Sequence, residues 1–318
     1  MLGSSGGHEA QSVMEKVGDN IIHHVSNSDI HHPIIHLPHL YNIDMSVTKH
    51  VLMLWIVAVS VGLFVIIPVQ NFIKEKKFIP TGLINLLEII VTFVRDSIVK
   101  PNVGSKWVNN WAPLILTFLF FIFFANAIGM IPIFDLLGAI NRFVLQVPSD
   151  DSHNFINGLL HGGPTATGNF NVTAALAMIT FFSIIIAGVR AHGFIQHWKN
   201  LVPHGLPGFV YVILIPIEII GMFVKPFALI MRLGANMTAG HIGMVAIFAL
   251  PIILGNGVNV YFGSADTLSY SIGFFAGFIA VLLNTAIYGL EIIVSLVQAY
   301  VFTLLSCVFI GMAIHADH

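Results

Sequence analysis

Charge is what this sequence has least of. Asp, Glu, Lys and Arg make up 9% of its 318 residues, where soluble domains carry roughly 25%. With 56% hydrophobic residues and a mean hydropathy of +0.88, that shortage excludes a water-soluble fold and implies an integral membrane protein. The net charge of -2 gives no basic footprint, so nucleic acid is not a partner. One cysteine, Cys307, excludes an intrachain disulfide framework and any Cys-based metal site. No G-x-x-x-x-G-K-[ST] phosphate loop occurs, so the chain alone has no site to make or hydrolyse ATP. Its apolar runs are unbroken instead of alternating, which points to helices and not to a barrel.

What is present is a series of spans. Residues 1–45 read as a polar extension containing His8, His23, His24, His31, His32, His36 and His39. That composition suits metal binding or a solvent-exposed, partly ordered segment, and the second is the simpler reading. No apolar core precedes a small-residue cleavage site there, so no classical signal peptide is expected. Residues 46–318 read as the membrane-embedded domain. A first span at 50–71 is followed by Lys74, Lys76 and Lys77. Positive residues mark the cytoplasmic side, which places the N-terminus outside. Residues 81–100, interrupted by Glu88, Arg95 and Asp96, read as an amphipathic helix lying along the cytoplasmic interface.

A second span is expected at 111–133 and an external Gly/Pro-rich loop at 135–170. A third span at 171–190 ends at Arg190. A short connector then leads to a long helix at 208–250, an external turn at 251–263, and a last stretch at 268–314 that leaves the C-terminus cytoplasmic. That stretch is too long for one upright crossing of about 20 residues, so it is tilted or kinked near Gly289. The sequence Asn-Val-Thr at 171–173 opens a membrane helix, so Asn171 reads as a cap or channel-mouth residue and not as a glycosylation acceptor.

The chain is organised around 216–250, an apolar stretch that nevertheless carries Glu218, Lys225, Arg232, Asn236 and His241. An arginine at mid-membrane costs roughly 2.5–3.5 kcal/mol even on the lenient insertion scale. Glu218, Lys225 and Arg232 lie seven apart, close to two helical turns, and so share a stripe that Asn236 extends. On the last helix Glu291, Ser295 and Gln298 share a face in the same way. A lone Ser295 or Thr238 would only glue helices together. Arg232 is different, because it stays protonated and needs carboxylates or water. It could pair structurally with Glu218 or Glu291. Intramembrane ionisable groups nevertheless mark ion pathways, and His241 and Glu291 are suited to passing protons. The residues read as an ion or proton conductor with one permanent positive charge among titratable groups.

These residues also resemble a known family. MRLGANMTAGHIGM at 231–244 is similar to the signature of the a subunit of F-type ATP synthases, with Arg232, Gly234, Asn236, the Ala239-Gly240 pair and His241 in place. EIIGMFVKP at 218–226, SLVQAYVF at 295–302 with Gln298, NAIGMIP at 126–132 and NFNVTAALA at 169–177 match further segments in order. The resemblance covers roughly 45–318. It implies an all-α membrane fold of about five transmembrane helices plus an interfacial helix, the last two long and tilted against a ring of c subunits.

It also implies a function: the proton-translocating stator subunit of the Fo motor, in a bacterial inner membrane. Its partners would be the c-ring, the b subunits of the peripheral stalk and the rest of the F1Fo complex, with no cofactor and no metal. Arg232 would separate two half-channels and attract each c-ring carboxylate. Glu218, His241 and Glu291 would line the outer half-channel, with Asn126 and Asn171 nearer its mouth. Asn236 and Gln298 would flank Arg232, Ser295 would lie on the same path, and Lys225 would be structural or part of the inner channel. Some members carry an acidic residue where Gly129 and Asn169 stand here, so the outer route lacks two titratable groups.

Two other classes compete. A lone channel or secondary transporter would show two similar halves, and no internal repeat is visible. A haem-binding electron-transfer protein would need histidines on facing spans, but most of the 16 histidines lie outside them.

Overall fold

The computed structural model describes residues 46–75, 79–131, 165–200, 207–262 and 266–315, with isolated positions before 46 and between 137 and 144. The expectations for the histidine-rich extension, for most of the 135–170 loop, and for Lys76 and Lys77 lie outside the described residues. Among the described residues there are helices and no strand, and five helices are long and apolar enough to cross a membrane.

Helix α1 (Lys49–Lys74) carries a π-helical turn at Gly62–Ile66. It buries Met53 and Val57 but exposes Trp55, Val59, Leu63 and Phe64, as a lipid-facing span does. Gly82, at φ 59°, permits the entry to α2 (Leu83–Phe93), which runs through a π-helical turn at Val94–Val99 into Lys100–Val103. This helix is not one of the five spans. Its exposed Arg95 forks onto Asp96 through two 3.0 Å bonds, and it ends at Gly104, φ 77°.

Helix α3 (Val108–Met130) buries Trp111, Ile115, Phe118, Ile122 and Asn126 at spacings of three and four. After a tight turn at Ala166–Gly168, α4 (Phe170–His192) starts at Asn169, whose side chain accepts from the Asn171 N–H at 2.8 Å. The capping role expected of Asn171 therefore falls to Asn169. Asn171 itself is exposed. A short α5 (Phe194–Lys199) follows, then α6 (Gly208–Phe262) and α7 (Asp266–Ile314).

Of the external turn expected at 251–263, residues 251–262 are helical, because α6 continues to Phe262, and residue 263 lies outside the described residues. Gly273 and Gly277 of α7 pack against Pro251 and Gly255, and such small-residue contacts let helices approach closely in lipid. The helical backbone of α7 likewise runs unbroken through Gly289.

Contacts divide the chain into two compact units, both threaded by α6 and α7. One contains 1–52, 129–168 and 236–295; the other contains 53–128, 169–235 and 296–318. The second holds the main apolar core, which includes Val94, Ile98, Phe118, Ile184, Leu233 and Phe302. There Phe118 meets Phe302 edge-on at 5.4 Å, and Thr180 shares a 3.2 Å hydrogen bond with Ser306.

Candidate functional site

Helix geometry separates the polar residues of α6 into two sets. Arg232 and His241 are nine residues apart, about two and a half turns, so they point to opposite sides of the helix. Arg232 and Asn236 are exposed, whereas His241 is buried. On α7 the polar residues stay together: Glu291, Ser295 and Gln298 are all buried, as is Asn284 seven residues before Glu291.

In the unit holding 236–295, His241 Nε2 lies 3.8 Å from Glu291 Oε1. The approach depends on the residue next to His241. A methyl group built on Gly240 would stand 2.8 Å from Glu291 Oε1, so the carboxylate rests on a bare α-carbon. Asn284 donates to the Met244 carbonyl at 3.2 Å, and the Tyr288 hydroxyl donates to the Met130 carbonyl at 3.1 Å. These bonds fix α7 to α6 and to the end of α3 within the two turns that precede Glu291. Asn284 was missed in the sequence, although carrying the seven-residue spacing back from Glu291 would have found it.

In the other unit, Arg232 is the middle residue of the apolar segment Phe209–Gly255. It is exposed beside exposed Phe227 and Met231. Among the described residues it makes no ion pair and no hydrogen bond, so neither structural pairing considered for it is present. Gly234 lets the first turn of α4 approach, since a methyl there would stand 3.1 Å from the Phe170 ring and 3.4 Å from Thr173 Oγ1. Gln298 and Asn126 are buried, and the Gln298 amide nitrogen donates no hydrogen bond among the described residues. Glu218 is half-buried. Lys225 Nζ lies 5.7 Å over the Phe309 ring, a cation–π contact that gives this lysine a structural partner.

The arrangement holds two titratable side chains, His241 and Glu291, buried 3.8 Å apart, and it presents a permanent cation outward from the middle of a span. Comparison with known proteins gives this chemistry a family. The family model of the ATP synthase A chain matches residues 51–311. ATP synthase subunit a 2 of Chlorobium luteolum is 37% identical over 96% of this chain and 77% of its own length. ATP synthase subunit a of Chloroherpeton thalassium is 36% identical over 90% and 72%, and that of Anaeromyxobacter dehalogenans is 32% identical over 99% and 74%. A match running through all five spans and the segments bearing Arg232, His241, Glu291 and Gln298 leaves one assignment: this multi-pass membrane chain belongs to the ATP synthase A chain family.

Proposed function

We propose that this chain is the proton-conducting stator subunit of an F-type ATP synthase, working against a rotating c-ring. The observation that carries the reading is Arg232, exposed at the middle of an apolar span with no acid paired to it among the described residues. A guanidinium there needs a carboxylate or water beside it. A c-ring carboxylate meets that demand while ionised and leaves it once protonated. A lone channel or transporter offers no such outside partner.

In this reading Arg232, flanked by Asn236 and Gln298, separates two half-channels. The buried His241–Glu291 pair, with Glu218 and Ser295, carries protons on the outer side, and Asn126 and Asn171 stand toward the mouth. Lys225 supports the fold through Phe309. The peripheral-stalk b subunits complete the stator. The membrane is a bacterial plasma membrane, with the N-terminus outside and the C-terminus cytoplasmic. The positions of Lys74, Lys100, Lys106, Arg190 and Lys199 support that orientation, because five spans put all of them on one side.

The test is ATP-driven proton pumping in vesicles carrying Arg232→Ala in the assembled complex. Pumping should vanish while the c-ring still copurifies. Near-normal pumping would make the arginine a structural group and sink the reading.

A further inference from the structure

The unit that contains the His241–Glu291 pair also holds a second polar group that this reading leaves unused. Thr165 is buried, 1% exposed, and stands directly on Gly129 at the end of α3. A methyl group on Gly129 would run into the Thr165 side chain and lie 2.7 Å from its α-carbon. A second glycine holds Thr165 from the other side, since a methyl on Gly168 would stand 2.7 Å from Thr165 Oγ1. Only bare α-carbons at both positions admit this seat.

The hydroxyl is also oriented. The Gly168 N–H donates to Thr165 Oγ1 at 3.1 Å and to the Thr165 carbonyl at 3.2 Å. Thr165 Oγ1 thus receives a proton donor and keeps its own O–H to give. The chain of contacts continues to α6, where Thr238 Oγ1 donates to the Gly168 carbonyl at 3.5 Å. Thr238 lies three residues, about one turn, before His241. The whole series, Gly129, Thr165, Gly168, Thr238, His241 and Glu291, belongs to one compact unit.

We infer that Thr165 and Thr238 form a hydroxyl relay that passes protons, through water, to the His241–Glu291 pair, with Thr165 occupying the space a side chain at position 129 would fill. The inference rests on the proposed proton-conducting role. A hydroxyl both accepts and donates, so it can hand on a proton without ever holding a charge. The relay therefore needs no titratable group of its own, and a carboxylate at Gly129 is excluded by Thr165 itself.

The experiment measures passive proton flux through vesicles stripped of the ATPase head, in the full complex carrying Thr165→Val or Thr165→Ser. Valine keeps the shape and removes the hydroxyl. Flux should fall about tenfold, the kinetic weight of one hydrogen bond, while the c-ring still copurifies. Serine should retain most of it, which a role in packing alone would not produce. Wild-type flux in Thr165→Val overturns the inference. Should Thr165→Val fail to assemble, Thr238→Val carries the test with the same two outcomes. Arg232→Ala reports separately on the parent reading. Lost pumping there with normal flux in both threonine-to-valine variants would overturn the relay alone.

Discussion

Glu291 on α7 lays a carboxylate oxygen against the bare α-carbon of Gly240 on α6, and this places it 3.8 Å from the neighbouring His241. Fifty-one residues separate Gly240 from Glu291 in the chain, so the contact is a product of helix packing. A side chain at position 240 and a carboxylate beside His241 compete for one space.

Gly240→Ala should therefore displace the Glu291 carboxylate from His241. Proton transfer is sensitive to misplacement of this kind, at roughly 10- to 100-fold per ångström. ATP-driven pumping should fall by about that amount with the c-ring still bound. Unchanged pumping would mean that the position of Glu291 over Gly240 is not used.

The C-terminal end of α7 has a similar seat in the other unit. A methyl group on Gly311 would run into the Asn102 backbone carbonyl, which cannot rotate away as a side chain can. Gly311→Ala should cost about 1–3 kcal/mol by overpacking, and the thermal midpoint of the detergent-purified subunit should drop. A midpoint equal to wild type would show that the 98–104 segment yields without strain.

His197 on α5 predicts a pH dependence outside the spans. Its ring packs onto Gly188 and is buried, and its Nε2 makes no hydrogen bond among the described residues. Burial first, and the charge of His192 second, hold its pKa below the ordinary 6.5. The folded state thus favours the neutral ring. Its full contribution is present above about 6.5 and is lost as pH falls from there through the lower folded-state value. Amide exchange in 194–200, corrected for intrinsic rates, should be faster at about pH 5.5 than at about pH 7.5. His197→Gln should flatten the difference, and protection that ignores pH in the wild type would dismiss the idea.

Particular residues show how far a one-dimensional reading reaches. The spans at 50–71, 111–133 and 171–190 were found to within three residues at each end, because bilayer thickness and backbone hydrogen bonding fix span length locally. The turn expected at 251–263 fails for the opposite reason. Pro251 and Gly255 look like breakers in sequence, yet Gly273 and Gly277 pack onto them and α6 continues. The capping role moved by two residues, from Asn171 to Asn169, because both types can cap and only backbone geometry chooses between them.

For the candidate site, the sequence by itself determined the inventory: an arginine amid an apolar span, a histidine and a glutamate on successive long helices, and the spacing that puts Glu291, Ser295 and Gln298 on one face. Those follow from hydropathy and the helical period, which are local properties. Only the tertiary structure decided that Arg232 turns outward with no acid paired to it among the described residues while His241 turns inward to Glu291, and that Thr165 stands on Gly129. The helical period fixes direction around one axis. Which residue waits in that direction depends on which bare α-carbons allow a neighbouring segment to close in.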